Sequence, residues 1–179
     1  MKIHTVILAA GEGSRMQSNK AKSLQPVGGL SMLRRIFDTV SNLTDETSFV
    51  VGFEKDSVIN EIEKFSGINH ICEQKKPIGT ADAVKSALDS IEQDSKVLVL
   101  YGDVPLIKKE TLNNLISMTD DSLTILSTEL KDPTGYGRVK KNENGLAISI
   151  VEEKDASEED KKINAVSYTH LTLPTKVTV

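Results

Sequence analysis

Cysteine is almost missing: Cys72 is the only one in 179 residues. A disulfide framework and a CxxC metal site are both excluded, and Cys72 reads as a small core residue. Long hydrophobic runs are missing too. No stretch approaches the roughly 18 apolar residues that a membrane-spanning helix needs, so no membrane partner is expected. The apolar start HTVILAA has no small-residue cleavage site after it, so no signal peptide is expected either, and the cytoplasm is the expected compartment. An excess of positive charge is also absent. The net charge is −4 and the pI about 5.5, which argues against nucleic acid as a partner, because such proteins carry a basic footprint. His4, His70 and His170 are scattered along the chain, and no catalytic His or Cys constellation is visible.

What is present is an ordinary single-domain length with 38% apolar residues, enough for one core. Short apolar runs alternate with segments of helical period. Strands are expected at residues 4–10, 48–53, 69–73, 96–103 and 123–130. Helices are expected at 31–43, 55–65, 80–91 and 109–118. In the first helix Leu33, Ile36, Phe37 and Val40 share a face, with Ser31 as its N-cap. Val58, Ile59, Ile62 and Phe65 mark the second, and Val84, Leu88 and Ile91 the third. Residues 135–154 read as a hairpin with NENG at the turn. This alternation implies βαβ units: an α/β fold with a mainly parallel sheet and helices on both faces. Ligands of such sheets bind at the carboxyl ends of strands. The loop of Gly11 and the end of the strand at Asp103 both fall there.

The first of these ends is unusual. VILAAGEGSRMQSNKAK runs from a buried-looking strand straight into Gly11, Gly13, Arg15 and Lys22. Successive backbone amides in such a loop form an anion site, and Arg15 and Lys22 supply cations for phosphate oxygens. An ordinary turn with a solvated basic flank remains the alternative. The dinucleotide fingerprint GxGxxG fails because Met16 takes the third glycine position, and GxxxxGK[ST] fails as well. Further on, EQKKPIGTADAV places Gln74, Gly79 and Thr80 between a strand and a helix. Amide and backbone groups there suit a nucleobase edge, or else Thr80 simply caps the helix. YGDVPL ends a strand in Tyr101, Gly102 and Asp103, where a carboxylate can hold Mg2+ or merely make a turn. DPTGYGRV brings Gly137, and IVEEKDA brings Glu152 at the end of an apolar run.

LAAGEGSRM with Lys22 resembles the signature of the sugar-nucleotide pyrophosphorylases, a nucleotidyltransferase family with a Rossmann-like fold. Ser14 stands for the usual threonine and Ala21 for the proline before the lysine. With YGDVPL, DPTGYGR and IVEEKDA in this order, residues 3–163 resemble the N-acetylglucosamine-1-phosphate uridylyltransferases, the N-terminal half of bacterial bifunctional enzymes. The resemblance implies UTP and N-acetylglucosamine 1-phosphate as substrates, UDP-N-acetylglucosamine (a peptidoglycan precursor) and pyrophosphate as products, and Mg2+ as cofactor. It implies that Leu8, Ala9, Ala10, Gly11 and Gly13 hold the triphosphate, while Gln74, Gly79 and Thr80 read uracil. Arg15 and Lys22 are the implied catalytic cations, Asp103 the metal ligand, and Tyr101, Gly102, Gly137 and Glu152 the sugar side. Another nucleotide or sugar phosphate, or a regulatory module that binds without catalysis, are the alternatives.

The end of the chain departs from this pattern. VSYTHLTLPTKVTV (166–179) does not resemble the family, and Ser167 stands where the family has a sugar-contacting asparagine. The expectation is a partial nucleotidyltransferase domain over 1–165 followed by a non-family tail of artefactual origin. The sheet is then incomplete at its C-terminal side and has an open edge. The family's second Mg2+ ligand lies further downstream. Weak or no activity is expected of this piece, which is expected to be monomeric, whereas the intact parent resembles a homotrimer.

Overall fold

A computed structural model of the chain describes residues 1–13, 18, 20–76, 78–118 and 123–174, with 168–174 described by backbone alone. Two compact units are present: Met1–Thr124 with Leu171–Val179, and Ile125–His170.

In the first unit, four parallel strands pair in the order β5 (Asn69–Glu73), β4 (Glu46–Val51), β1 (Ile3–Leu8), β6 (Lys96–Tyr101). Successive side chains of a strand point to opposite faces, and both faces of this sheet are covered. On one face Phe49 packs with Phe37 and Phe65, their ring centroids 4.5–6.0 Å apart. On the other, Val6, Val50, Val97 and Val99 pack against Ala83 and Ala87. The continuous apolar runs of β1 and β6 follow from this two-sided burial. A two-stranded ribbon, β2 (Pro26–Val27) with β3 (Leu30–Ser31), precedes the first helix.

Helix α1 (Met32–Val40) starts where the sequence places it. Ser31 Oγ accepts the Arg34 N–H at 3.0 Å, and its own O–H donates to Glu61 Oε1 at 2.7 Å. Leu33, Ile36, Phe37 and Val40 are all buried. Helix α2 (Lys55–Ile62) buries Val58 and Ile62. Helix α3 (Thr80–Lys85) is shorter than expected. The chain passes into a turn and a 3-10 segment at Leu88–Ser90, so Leu88 is 54% exposed and Ala83 and Ala87 take the core positions. Helix α4 (Lys109–Ser117) buries Leu112 and Leu115.

The second unit contains all but the first residue of β7 (Thr124–Glu129) and the expected hairpin, β8 (Arg138–Lys141) antiparallel to β9 (Ala147–Val151). Asn142 Oδ1 accepts the N–H groups of Asn144 and Leu146 and closes the turn, with Gly145 at φ +77°. The last strand, β10 (Ala165–Pro174), begins in this unit, where Val166 pairs with Arg138.

The last residues of β10 return to the first unit's sheet. Leu171 pairs with Val99 and Pro174 with Lys96, so the end of β10 runs antiparallel along β6. Backbone hydrogen bonding does not depend on side-chain pattern, which is why no motif announces this pairing. Among the described residues no helix is long and apolar enough to cross a membrane.

Candidate active site

The parallel register aligns the strand ends. Leu8 lies opposite Val50 on one side and Tyr101 on the other, and Val51 lies opposite Glu73. Four loops therefore leave the sheet at one end, through residues 9–13, 52–53, 74–76 with 78–79, and 102–103. They surround a cleft of about 550 Å³. Residues up to 95 positions apart meet here only because β1 and β6 are neighbours.

The first loop is held by backbone bonds. Ala9 N–H donates to Val50 O at 2.8 Å, and Ala10 O accepts from Phe53 N–H at 3.1 Å. Leu8, Ala9, Ala10 and Gly11 line the cleft. Gly13 is at φ +68°, and a Cβ there would lie 2.6 Å from Lys22 Cβ, so the loop rests directly on the lysine stem. Arg15 lies outside the described residues.

Lys22 opens a 3-10 turn, Lys22–Leu24. Its neighbours Ala21, Ser23 and Leu24 are buried, which anchors the backbone while the ammonium reaches the cleft. Ala21 sits at φ −48° and ψ 137°, close to the backbone a proline would impose. Tertiary burial thus holds the segment in the conformation that a ring would otherwise supply.

The Lys22 ammonium forms an ion pair with the Asp103 carboxylate. Gly102, just before it, donates its N–H to Leu8 O at 2.8 Å. Among the described residues no group of three or more His, Cys, Asp or Glu side chains is arranged to cage a metal. Asp103 nevertheless fits a hard cation. It is an oxygen donor at the cleft, and its counter-ion Lys22 shows that the spot draws positive charge. Mg2+ is commonly held by one or two carboxylates together with substrate phosphates.

Across the cleft, Gln74 follows β5 and donates its backbone N–H to Val51 O at 2.9 Å. Its side-chain nitrogen donates to Gly79 O at 3.0 Å and to Asp82 Oδ2 at 3.1 Å. Gly79, at φ +130°, is the N-cap of α3, so Thr80 does not cap the helix. Thr80 Oγ1 accepts instead from Tyr101 Oη at 3.0 Å. Gln74, Gly79, Thr80, Tyr101, Gly102 and Asp103 all line the cleft.

Gly52, Phe53, Glu73 and Lys75 line it as well, and sequence reading missed them. Lys75 stands beside Gln74, which was a usable signal. Gly52 had none: a Cβ there would lie 3.0 Å from Ala10 Cβ, a contact made across two strands.

Gly137 and Glu152 belong to the second unit and lie together there. A Cβ at Gly137 would sit 3.7 Å from each carboxylate oxygen of Glu152, and Gly137 O accepts the Ser167 N–H at 3.1 Å. Next to them Arg138, 1% exposed, pairs with Glu153 at 2.7 Å and also donates to Tyr136 O. That guanidinium, helped by the Gly135 N–H, holds the Glu153 carboxyl below the usual carboxylate range. The burial of Arg138 was not foreseen from DPTGYGRV.

Opposite the cleft end of the sheet lies a polar cluster with no part in this site. His4, 2% exposed, places Nε2 2.7 Å from Ser48 Oγ, which is 2.7 Å from Ser90 Oγ. Ser90 donates its proton to Ala87 O, so Ser48 donates to Ser90 and His4 donates from Nε2. Burial pushes the His4 pKa down.

The chain matches the MobA-like NTP transferase domain over residues 5–138. Curated relatives include bifunctional protein GlmU of Marinobacter nauticus, 42% identical over 167 residues, with 92% of this chain and 36% of the relative covered. The protein of the same name from Ruthia magnifica is 45% identical over 166 residues, with 92% and 36% covered. The chain thus spans about 36% of the length of these relatives. Among solved structures, HddC from Yersinia pseudotuberculosis complexed with GMP-PN superposes with a TM-score of 0.72 at 22% identity, covering 98% of this chain and 78% of that one. The 4-diphosphocytidyl-2C-methyl-D-erythritol synthase from Anaerococcus prevotii gives 0.67 at 21% identity, covering 98% and 70%. At such identities these two structures speak for the fold alone.

Proposed function

The chain belongs to the MobA-like NTP transferase domain family, and on that premise we propose that its cleft binds Mg2+–UTP for uridylyl transfer to N-acetylglucosamine 1-phosphate. One observation carries the reading. The glycine loop, the Lys22–Asp103 pair and the Gln74–Gly79–Thr80 group face a single cleft at the carboxyl ends of parallel strands. Anion, cation and base-edge chemistry are all within reach of one nucleotide. The GlmU relatives and the NTP transferase domain support nucleotidyl transfer as the class of reaction.

In the proposed reaction, an oxygen of the sugar 1-phosphate attacks the α-phosphorus of UTP. A new P–O bond forms, the bond from the α-phosphorus to the bridging oxygen breaks, and pyrophosphate leaves with the electron pair. The nucleophile is already anionic, so no general base is needed. Rate enhancement then comes from positioning and from charge stabilisation. Backbone amides of Ala10, Gly11 and Gly13 hold the triphosphate. Lys22 stabilises charge growing on the α-phosphate once its pairing with Asp103 is relieved, and Arg15 steadies the leaving pyrophosphate. Asp103 would hold Mg2+, which would supply charge neutralisation at the phosphates. Gln74, Gly79 and Thr80 read uracil, and Tyr101 and Gly102 serve the sugar.

The test is twofold. Mg2+–UTP at about 100 times its dissociation constant should add about 2.7 kcal/mol to the folded state, seen as a rise in melting temperature. Pyrophosphate release with both substrates should fall about 10²-fold or more in Lys22→Ala and in Arg15→Ala, as for loss of a positioned charge. No stabilisation by any nucleoside triphosphate would refute the cleft as a nucleotide site. Undiminished turnover in both variants would refute the assigned roles.

A further inference from the structure

The side chain of Gln74 is not free to choose how it meets a ligand. Its nitrogen faces two acceptors, the Gly79 carbonyl at 3.0 Å and the Asp82 carboxylate at 3.1 Å. A primary amide nitrogen carries two N–H groups and no acceptor, so these two contacts use both. What the side chain has left to offer the cleft is Oε1, an acceptor. Turning the amide over would bring that oxygen against a carbonyl and a carboxylate and would break a charge-assisted hydrogen bond.

Both anchors are themselves fixed. Gly79 O also accepts the Ala83 N–H at 3.2 Å, and Gly79 holds a left-handed φ of +130°. Asp82 is half-buried in the first turn of α3. The Gln74 backbone is tied to Val51 at the end of β4. The amide is therefore held at its root and at its tip.

An acceptor in that place discriminates between pyrimidines. Uracil and thymine carry an N–H at position 3, whereas cytosine carries a lone pair there. We propose that Asp82 is a positioning residue that locks the Gln74 amide with its oxygen toward the ligand, and so sets the preference for a pyrimidine bearing N3–H over cytosine. This rests on reading the cleft as a uridine-nucleotide site. Asp82 touches no substrate and acts through Gln74.

The test is a calorimetric titration of the whole chain with Mg2+–UTP and, separately, Mg2+–CTP. Wild type, Asp82→Ala and Asp82→Asn are compared, with melting of each unliganded protein as the control for folding. Wild type should bind UTP more tightly than CTP. Asp82→Ala frees the amide to turn over, and the UTP/CTP affinity ratio should fall at least about tenfold, the scale of one charge-assisted hydrogen bond. Asp82→Asn keeps an acceptor oxygen and should hold the ratio within about threefold of wild type, since only the charge assistance is lost. Both variants lose the same negative charge at the start of α3, so an effect through the helix alone would move them equally. Equal loss in the two variants would overturn the proposal. So would an unchanged ratio in Asp82→Ala while wild type discriminates, and the uridine reading would then survive. A wild type that binds CTP as tightly as UTP would instead sink the uridine reading, and this proposal with it.

Discussion

Replacing Gly102 by alanine tests whether the ends of β1 and β6 are held as closely as the cleft requires. Gly102 is buried and donates its N–H to Leu8 O at 2.8 Å. A Cβ at this position would lie 2.9 Å from the same Leu8 oxygen, 3.3 Å from Ser23 Cβ and 3.4 Å from Ala9 Cα. Two of these neighbours are backbone atoms of a paired strand end and cannot swing away. The strand ends must part by a few tenths of an ångström, straining the hydrogen bond that sets the position of Asp103. Inserting a methyl group into such a site costs about 1–3 kcal/mol. For a chain of this size each kcal/mol moves the melting temperature by roughly 2–4 °C, so a drop of about 2–12 °C is expected. Gly11→Ala is the matched control, because a Cβ there meets nothing within 4 Å. Its stability should change by no more than about 0.5 kcal/mol. Circular dichroism melts of the two variants decide the matter. Gly102→Ala melting within about 1 °C of wild type would refute the reasoning, since that is below the smallest overpacking cost expected.

At Gly13, alanine would combine a left-handed backbone with a 2.6 Å clash against Lys22 Cβ. About 1–2 kcal/mol of backbone strain is expected, and UTP affinity should fall with it; an unaltered melting curve would count against the loop's packing on Lys22. Burial, opposed by Glu46 and aided by the stacked His70, keeps the folded-state pKa of His4 low. Below about pH 6.5 the unfolded chain takes up a proton that the folded chain refuses, so stability falls as the pH drops from 7 toward 5. His4→Gln should flatten this slope in urea unfolding series, and an identical slope would show that His4 does not carry it. The Lys140 ammonium, with Ser157, holds Asp160 down to a pKa of about 2, against its ordinary 3.8. Its contribution is complete above the ordinary value and is lost as pH falls toward 2. In Lys140→Ala the Asp160 carboxyl should titrate nearer its ordinary value by NMR, and an unmoved midpoint would remove Lys140 as the cause.

Much of the framework was legible because it is local. The N-cap at Ser31 depends on one hydroxyl and the amide three residues on, and the buried face of α1 follows from the helical period. The alternation of apolar runs with helical segments implied a parallel sheet, and the loop at Gly11 and the carboxylate at Asp103 were both placed at strand ends. The third helix was drawn too long because Leu88 and Ile91 continue the period, whereas the backbone leaves α3 after Lys85 and puts Ala87 into the core.

By itself, then, the sequence determined the four parallel strands, the helices that begin at Met32, Lys55, Thr80 and Lys109, where the glycine loop begins, and which residue types a nucleotide would need. Those properties follow from steric and hydrogen-bonding rules that reach only a few residues along the chain. Tertiary structure decided which of those residues meet. The register of β1 with β6 sets Leu8 beside Tyr101, and through it Lys22 finds Asp103. Turning Gln74 by way of Asp82, seating Gly52 on Ala10, and running residues 171–174 along β6 are likewise products of packing. Each depends on atoms brought together across the sheet or across a loop, where no local pattern in the chain constrains them.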